Sequence, residues 1–158
     1  MQAEEPLEDL PAGPVESAGF LATGTWQARI VHHEQVDLPG GLRAPQSARR
    51  AIEEHFTSAV QKDMLASIEL LTTELVSNAV RHGGASEQQT VVLHLAIAPD
   101  CLRVEVCDPG RGFVPGPPRP YGEGGYGLFL VSEVSSRWGV SHEEGNCTWF
   151  EIDLQEAG

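Results

Sequence analysis

Glu74 and Asn78 stand four residues apart in Glu74-Leu-Val-Ser-Asn78, which sets a carboxylate and an amide on one face of a helix. A carboxylate so placed can take a proton or orient a nucleophile. An amide oxygen can ligate Mg²⁺, a hard ion that prefers oxygen and keeps several waters. Arg81 falls close to the same line. Farther on, Asp108-Pro-Gly110-Arg-Gly112-Phe113 sets a lone carboxylate ahead of a glycine turn. Such an Asp can accept a hydrogen bond from an exocyclic amine like that of adenine. Glycines, lacking Cβ, let a flat base approach the backbone. The third segment, Gly122-Glu-Gly-Gly125-Tyr126-Gly127-Leu128, is a glycine loop running into a helix. Free N–H groups and the positive end of the helix dipole favour an anion there.

Taken singly, each segment has an ordinary structural explanation: a solvated helix face, a strand-to-loop turn, a linker before a helix. Together they follow the order that a lidded ATP pocket needs, and the Pro- and Gly-rich stretch 114–124 is the natural lid. Lys62 is the chain's one lysine, and no GxxxxGK[ST] spacing occurs, so a P-loop site is excluded. The dipole contributes only about 0.3–1 kcal/mol per charge. Mg²⁺ and several backbone N–H groups would have to do most of the phosphate binding.

The elements that must carry these residues can be read from periodicity. Thr25–Val31 alternates like a strand, and 37–41 (Asp-Leu-Pro-Gly-Gly) reads as a turn. A helix is expected over 45–59 with Pro45 in its first turn, and a second over 62–81 with Ile68, Leu71, Leu75 and Ala79 as its buried stripe. His82-Gly83-Gly84 would end it. Strands over 90–98 and 102–107 form a hairpin about Pro99-Asp100. A third helix is expected over 125–137. Strands over 138–141 and 148–154 follow, around a Glu-Glu-Gly-Asn turn. Helices early and strands late indicate an α+β layer fold.

Composition sets the outer bounds. At 158 residues and 41 % apolar content the chain is one domain with room for one core. A formal charge of −13 argues against DNA or RNA as a direct partner. Residues 1–19 hold five acids with no Lys or Arg and read as an acidic, disordered arm; the domain boundaries expected are 1–22 and 23–158. No apolar run could span a bilayer and no signal peptide is evident, so no membrane is implied and a cytoplasmic setting is expected. Cys101, Cys107 and Cys147 form no CxxC pair. They read as reduced, buried, small apolar side chains. The six histidines show no HExxH spacing, which argues against a zinc site.

Over roughly residues 25–155 the chain resembles the GHKL (Bergerat-fold) ATPases, and within them the bacterial anti-sigma factor/serine protein kinases. Glu74–Gly83 looks like the family's N-box, Asp108–Phe113 like its G1 box, and Gly122–Leu128 like its G2 box. Arg49-Arg50 sits where the family's first helix often carries such a pair. The resemblance implies a two-layer α/β sandwich: a mixed, mostly antiparallel sheet with helices on one face and ATP between helices and lid. It implies Glu74 as general base, Asn78 as Mg²⁺ ligand and Asp108 as adenine anchor. Gly110, Gly112, Gly125, Tyr126, Gly127 and Leu128 would contact the cofactor through the two glycine boxes, Thr148 would touch adenine through water, and Arg81 and His82 match the N-box. Tyr126 stands where many relatives have a basic residue, which removes a charge from the γ-phosphate contact.

Relatives phosphorylate a serine on an anti-anti-sigma antagonist and sequester a sigma factor when the antagonist is absent. They often form homodimers, although these residues carry no interface signature. Two readings follow. One is an ATP- and Mg²⁺-dependent protein-serine kinase and anti-sigma factor. The alternative is a non-catalytic ATP-binding module that gates a protein partner.

Overall fold

The computed structural model of the chain describes residues 15–16, 30–81, 86–109, 126–141 and 145–154. Three helices, α1 (Ala44–Phe56), α2 (Lys62–Arg81) and α3 (Tyr126–Val134), pack on one sheet. Its strands are β1 (Val15–Glu16), β2 (His32–Pro39), β3 (Thr90–Ala98), β4 (Cys101–Asp108), β5 (Arg137–Ser141) and β6 (Asn146–Asp153), in the spatial order β1-β5-β6-β4-β3-β2. The pairs from β5 to β2 are antiparallel, and the two-residue β1 adds to β5 in parallel. This is the α+β, helices-on-one-face arrangement expected from the sequence. Of the acidic arm, only Val15 and Glu16 are among the described residues, where they form β1.

Alternation decides which side chains meet the helices. Leu102, Val104 and Val106 of β4, with Phe150 and Ile152 of β6, face α2's Ile68, Leu71, Leu75 and Ala79 in one core. Val76 and Thr72 widen the expected α2 stripe, because the helix lies against the sheet between two other helices. Pro45 sits in the first turn of α1, whose missing N–H is one that no helix could use.

Two boundaries differ from expectation. The turn expected over 37–41 starts later, since Asp37–Pro39 lies in β2 and the turn follows it; of the strand expected over Thr25–Val31, residues 25–29 lie outside the described residues and Ile30 and Val31 precede β2. β2 is an edge strand. Only Glu34, Val36 and Leu38 turn inward, so its other face reads as polar and a proline is tolerated at its end. The third helix stops at Val134, not Arg137. There the Ser136 N–H donates to Glu151 O at 2.8 Å, pulling the chain into β5. Asp108 is itself the last residue of β4, one place beyond the expected strand end. The final strand begins at Asn146. It follows Gly145, whose φ of +98° suits glycine.

The cysteine reading needs a larger correction. Cys107 and Cys147 are disulfide-bonded, and Cys101 alone is a free, buried thiol. The β4–β6 register sets Cys107 directly opposite Cys147. That neighbourhood exists only once the sheet is paired, so spacing along the chain gives no hint of it.

The sheet face away from the helices carries a buried charged network. Arg103 Nη2 donates to Glu105 at 3.1 Å and Nη1 to Glu151 at 3.4 Å, while its guanidinium lies 4.2 Å from the Trp149 ring centre. Arg137 bridges Glu151 at 3.4 Å and pairs with Asp153, holding the Asp153 carboxyl below its ordinary range. Burial, aided by the Glu151 charge, pushes the Cys101 thiol up to about 12. Paired charges of this kind tie β4, β6 and β5 together on the side the helices do not cover.

Candidate functional site: a cleft between α2 and the β4–β6 pair

The two strands at the centre of the sheet end where the C-terminal half of α2 crosses them. A cleft opens there, lined by Leu75, Asn78 and Ala79 of α2, Val106 and Asp108 of β4, and Asn146, Cys147 and Thr148 of β6. Sheet register assembles its floor: Val106 lies opposite Thr148, and Asp108 opposite Asn146. Helical spacing assembles its wall, since Leu75, Asn78 and Ala79 share one side of α2.

Of the residues expected to form a site, Asn78, Asp108 and Thr148 meet in this cleft. Asp108 is 8 % exposed, so its carboxylate stands at the edge of an apolar slot formed by Leu75, Ala79 and Val106. Apolar walls of this kind suit the face of an aromatic base, and a buried carboxylate can accept a hydrogen bond from its amine. The chemistry of these residues therefore fits adenine. Gly145 arches over the same end; a Cβ there would come within 3.3 Å of Asp108 O.

Glu74 lies one turn before Asn78 on α2, half-buried. It packs against the start of α3: an ideal Cβ on Gly127 would stand 2.6 Å from Glu74 Oε2 and 3.3 Å from Glu74 Cβ. Gly127 is thus small because the carboxylate needs its space. The glycine at the helix entry and the carboxylate on α2 are thus neighbours. The Asn78 amide, one turn on from that carboxylate, offers an oxygen donor of the kind a hydrated Mg²⁺ takes.

The remaining expected residues divide. Arg81 is the exposed last residue of α2 and is not among the cleft's described walls. Leu128 turns its side chain into the core at 1 % exposure, so only its backbone is left for a ligand. His82, Gly110, Gly112 and Gly125 lie outside the described residues, as does the 114–124 stretch; of Tyr126 only the backbone is described, as the first residue of α3. Sequence reasoning missed Asn146, Cys147, Leu75, Ala79 and Val106 as cleft residues. Asn146 had a signal: it stands two before Thr148 on the same strand and so shares its face.

Arg49 does not reach this cleft. It joins α1 to α2 through Glu69, at 3.2 Å.

Comparison with known proteins accords with this geometry. Residues 39–152 match the family model described as the histidine kinase-like ATPase domain. The fold is similar to the crystal structure of the RsbU and RsbW domains of Rv1364c from Mycobacterium tuberculosis. That likeness has a TM-score of 0.57 and 22 % identity over 79 % of this chain. The chain covers 32 % of that protein's length. No curated protein matches the sequence. The family match takes in α1 through β6, every element that builds the cleft, and this chain belongs to the histidine kinase-like ATPase family.

Proposed function

We propose that the chain is an ATP- and Mg²⁺-dependent protein-serine kinase that acts as an anti-sigma factor in the cytoplasm. It would phosphorylate an anti-anti-sigma antagonist and hold a sigma factor when that antagonist is absent. The observation that carries the reading is the meeting of Asn78, Asp108 and Thr148 on one cleft, with Glu74 one helical turn away against Gly127. The likeness in fold to a protein with an RsbW domain supports the regulatory part.

In this reading Asp108 and Thr148 hold and orient the base, and the apolar slot excludes water around it. Asn78 supplies an amide oxygen to Mg²⁺, which when bound screens the phosphate charges. Glu74 orients the incoming serine hydroxyl and takes its proton as the hydroxyl becomes the nucleophile. The backbone at the start of α3 faces the phosphate end, where unpaired N–H groups suit an anion.

The test is Glu74→Gln, which keeps the shape and removes the base. Phosphoserine formation on the antagonist encoded nearest to this chain is expected to fall by about 10²–10⁴. ATP affinity is expected to hold within a few-fold. A wild-type protein that binds ATP yet forms no phosphoserine would remove the kinase half. Tyr126, in place of a basic residue, favours the second reading, in which ATP only gates a partner. That reading expects Glu74→Gln to regulate the partner as wild type does.

A further inference from the structure

Outside the cleft, His32, Glu34 and His55 bring two imidazoles and a carboxylate together, with their ligand atoms all within 4.8 Å of one another. His32 and Glu34 are two apart on β2 and share its helix-facing side. His55 is in the last turn of α1. The His32 Nε2 to Glu34 Oε1 distance is 3.7 Å. That is too long for a hydrogen bond. It is close to the separation of two ligands on one tetrahedral zinc ion, about 3.3 Å for metal–ligand bonds of 2.0–2.1 Å. The His32 and His55 ring centres lie 6.2 Å apart at a 35° tilt, which leaves them unstacked.

We propose that His32, Glu34 and His55 form a binding site for a divalent transition-metal ion of the Zn²⁺ class, clamping the edge strand β2 to the end of α1. Two imidazoles and one carboxylate are a donor set that such ions favour, with water completing the coordination. Both His32 and Glu34 side chains are 43 % exposed, so a hydrated ion reaches them without unfolding. Each ligand needs to move by about an ångström or less, within ordinary rotamer freedom at a surface. The site is remote in sequence, with ligands 21 to 23 residues apart across a turn and a helix, which is why no HExxH-type spacing announces it. It is separate from the nucleotide reading, using no residue of the cleft.

The natural control is His33. It stacks on His94 at 5.7 Å on the opposite face of β2. ZnCl₂ would be titrated calorimetrically into the nucleotide-free full chain without reductant, and Co²⁺ would be followed by visible absorption. One ion per chain is expected, with the intense Co²⁺ bands of low coordination number and a Tm raised by several degrees. His32→Ala and His55→Ala should each weaken Zn²⁺ binding at least tenfold, and His33→Ala should leave it unchanged. Circular dichroism checks that each exposed-site variant is folded. The proposal is overturned if neither ion binds, or if binding survives both substitutions. It is also overturned if binding is lost on blocking the free thiol, which would place the ion at Cys101.

Discussion

Gly127 shows how a single atom sets the room around the Glu74 carboxylate. Its Cα leaves the Glu74 carboxylate room that a methyl group would take. In Gly127→Ala the added Cβ meets Glu74 Oε2 first and must push that carboxylate aside. A displacement of an ångström at a reacting group costs about a hundredfold in rate. In the proposed reading, phosphotransfer by Gly127→Ala is therefore expected to drop by about that factor, while ATP affinity stays within threefold. Steady-state assays with the antagonist and calorimetry with ATP separate the two. At this scale the sequence was legible where side-chain chemistry mattered. Glu74, Asn78 and Asp108 could be picked by type and position, and Thr148 only through the family resemblance. The closeness of Gly127 to Glu74 could not, because it depends on how α3 docks against α2.

The pairing of β4 with β6 carries most of the site. The same register that sets Asp108 beside Asn146 sets Cys107 opposite Cys147. The bond lies at the strand ends that form the cleft floor. It closes a loop with a sequence separation of 40, and chain entropy for such a loop corresponds to about 4 kcal/mol of stability. Cys107→Ser with Cys147→Ser is expected to lose a stability of that order in urea unfolding. Thiol titration in denaturant without reductant should find one free thiol per chain, and three after reduction. Three thiols before reduction would contradict the bond. Elements with a covered, periodic face were legible: α2 and β3 run over the expected residues. β2 was not read as a strand because an edge strand has one wet face and a polar alternation weaker than that of its neighbours. The disulfide and the His32–Glu34–His55 cluster stayed hidden for one shared reason. Both are contacts between elements far apart along the chain.

For the molecule as a whole, the layer arrangement followed from the order of periodicities, with helices first and strands after. The strand order did not, since β5 and β6 return to pair beside β4 across the helix α3. A back face filled by Arg103, Glu105, Glu151 and Trp149 was also beyond reach, because charged residues along a strand read as solvent-facing. The central claim remains that this fold brings a base-reading carboxylate and a metal-binding amide to one nucleotide. Calorimetric titration of Mg·ATP into the wild-type chain and into Asp108→Asn tests it most directly. A hydrogen bond to a charged group is worth about 1.5–3 kcal/mol, so Asp108→Asn should weaken binding at least about tenfold while its Tm stays near that of the wild type. Equal affinity in the two proteins, or no binding by the wild type, would contradict the assignment.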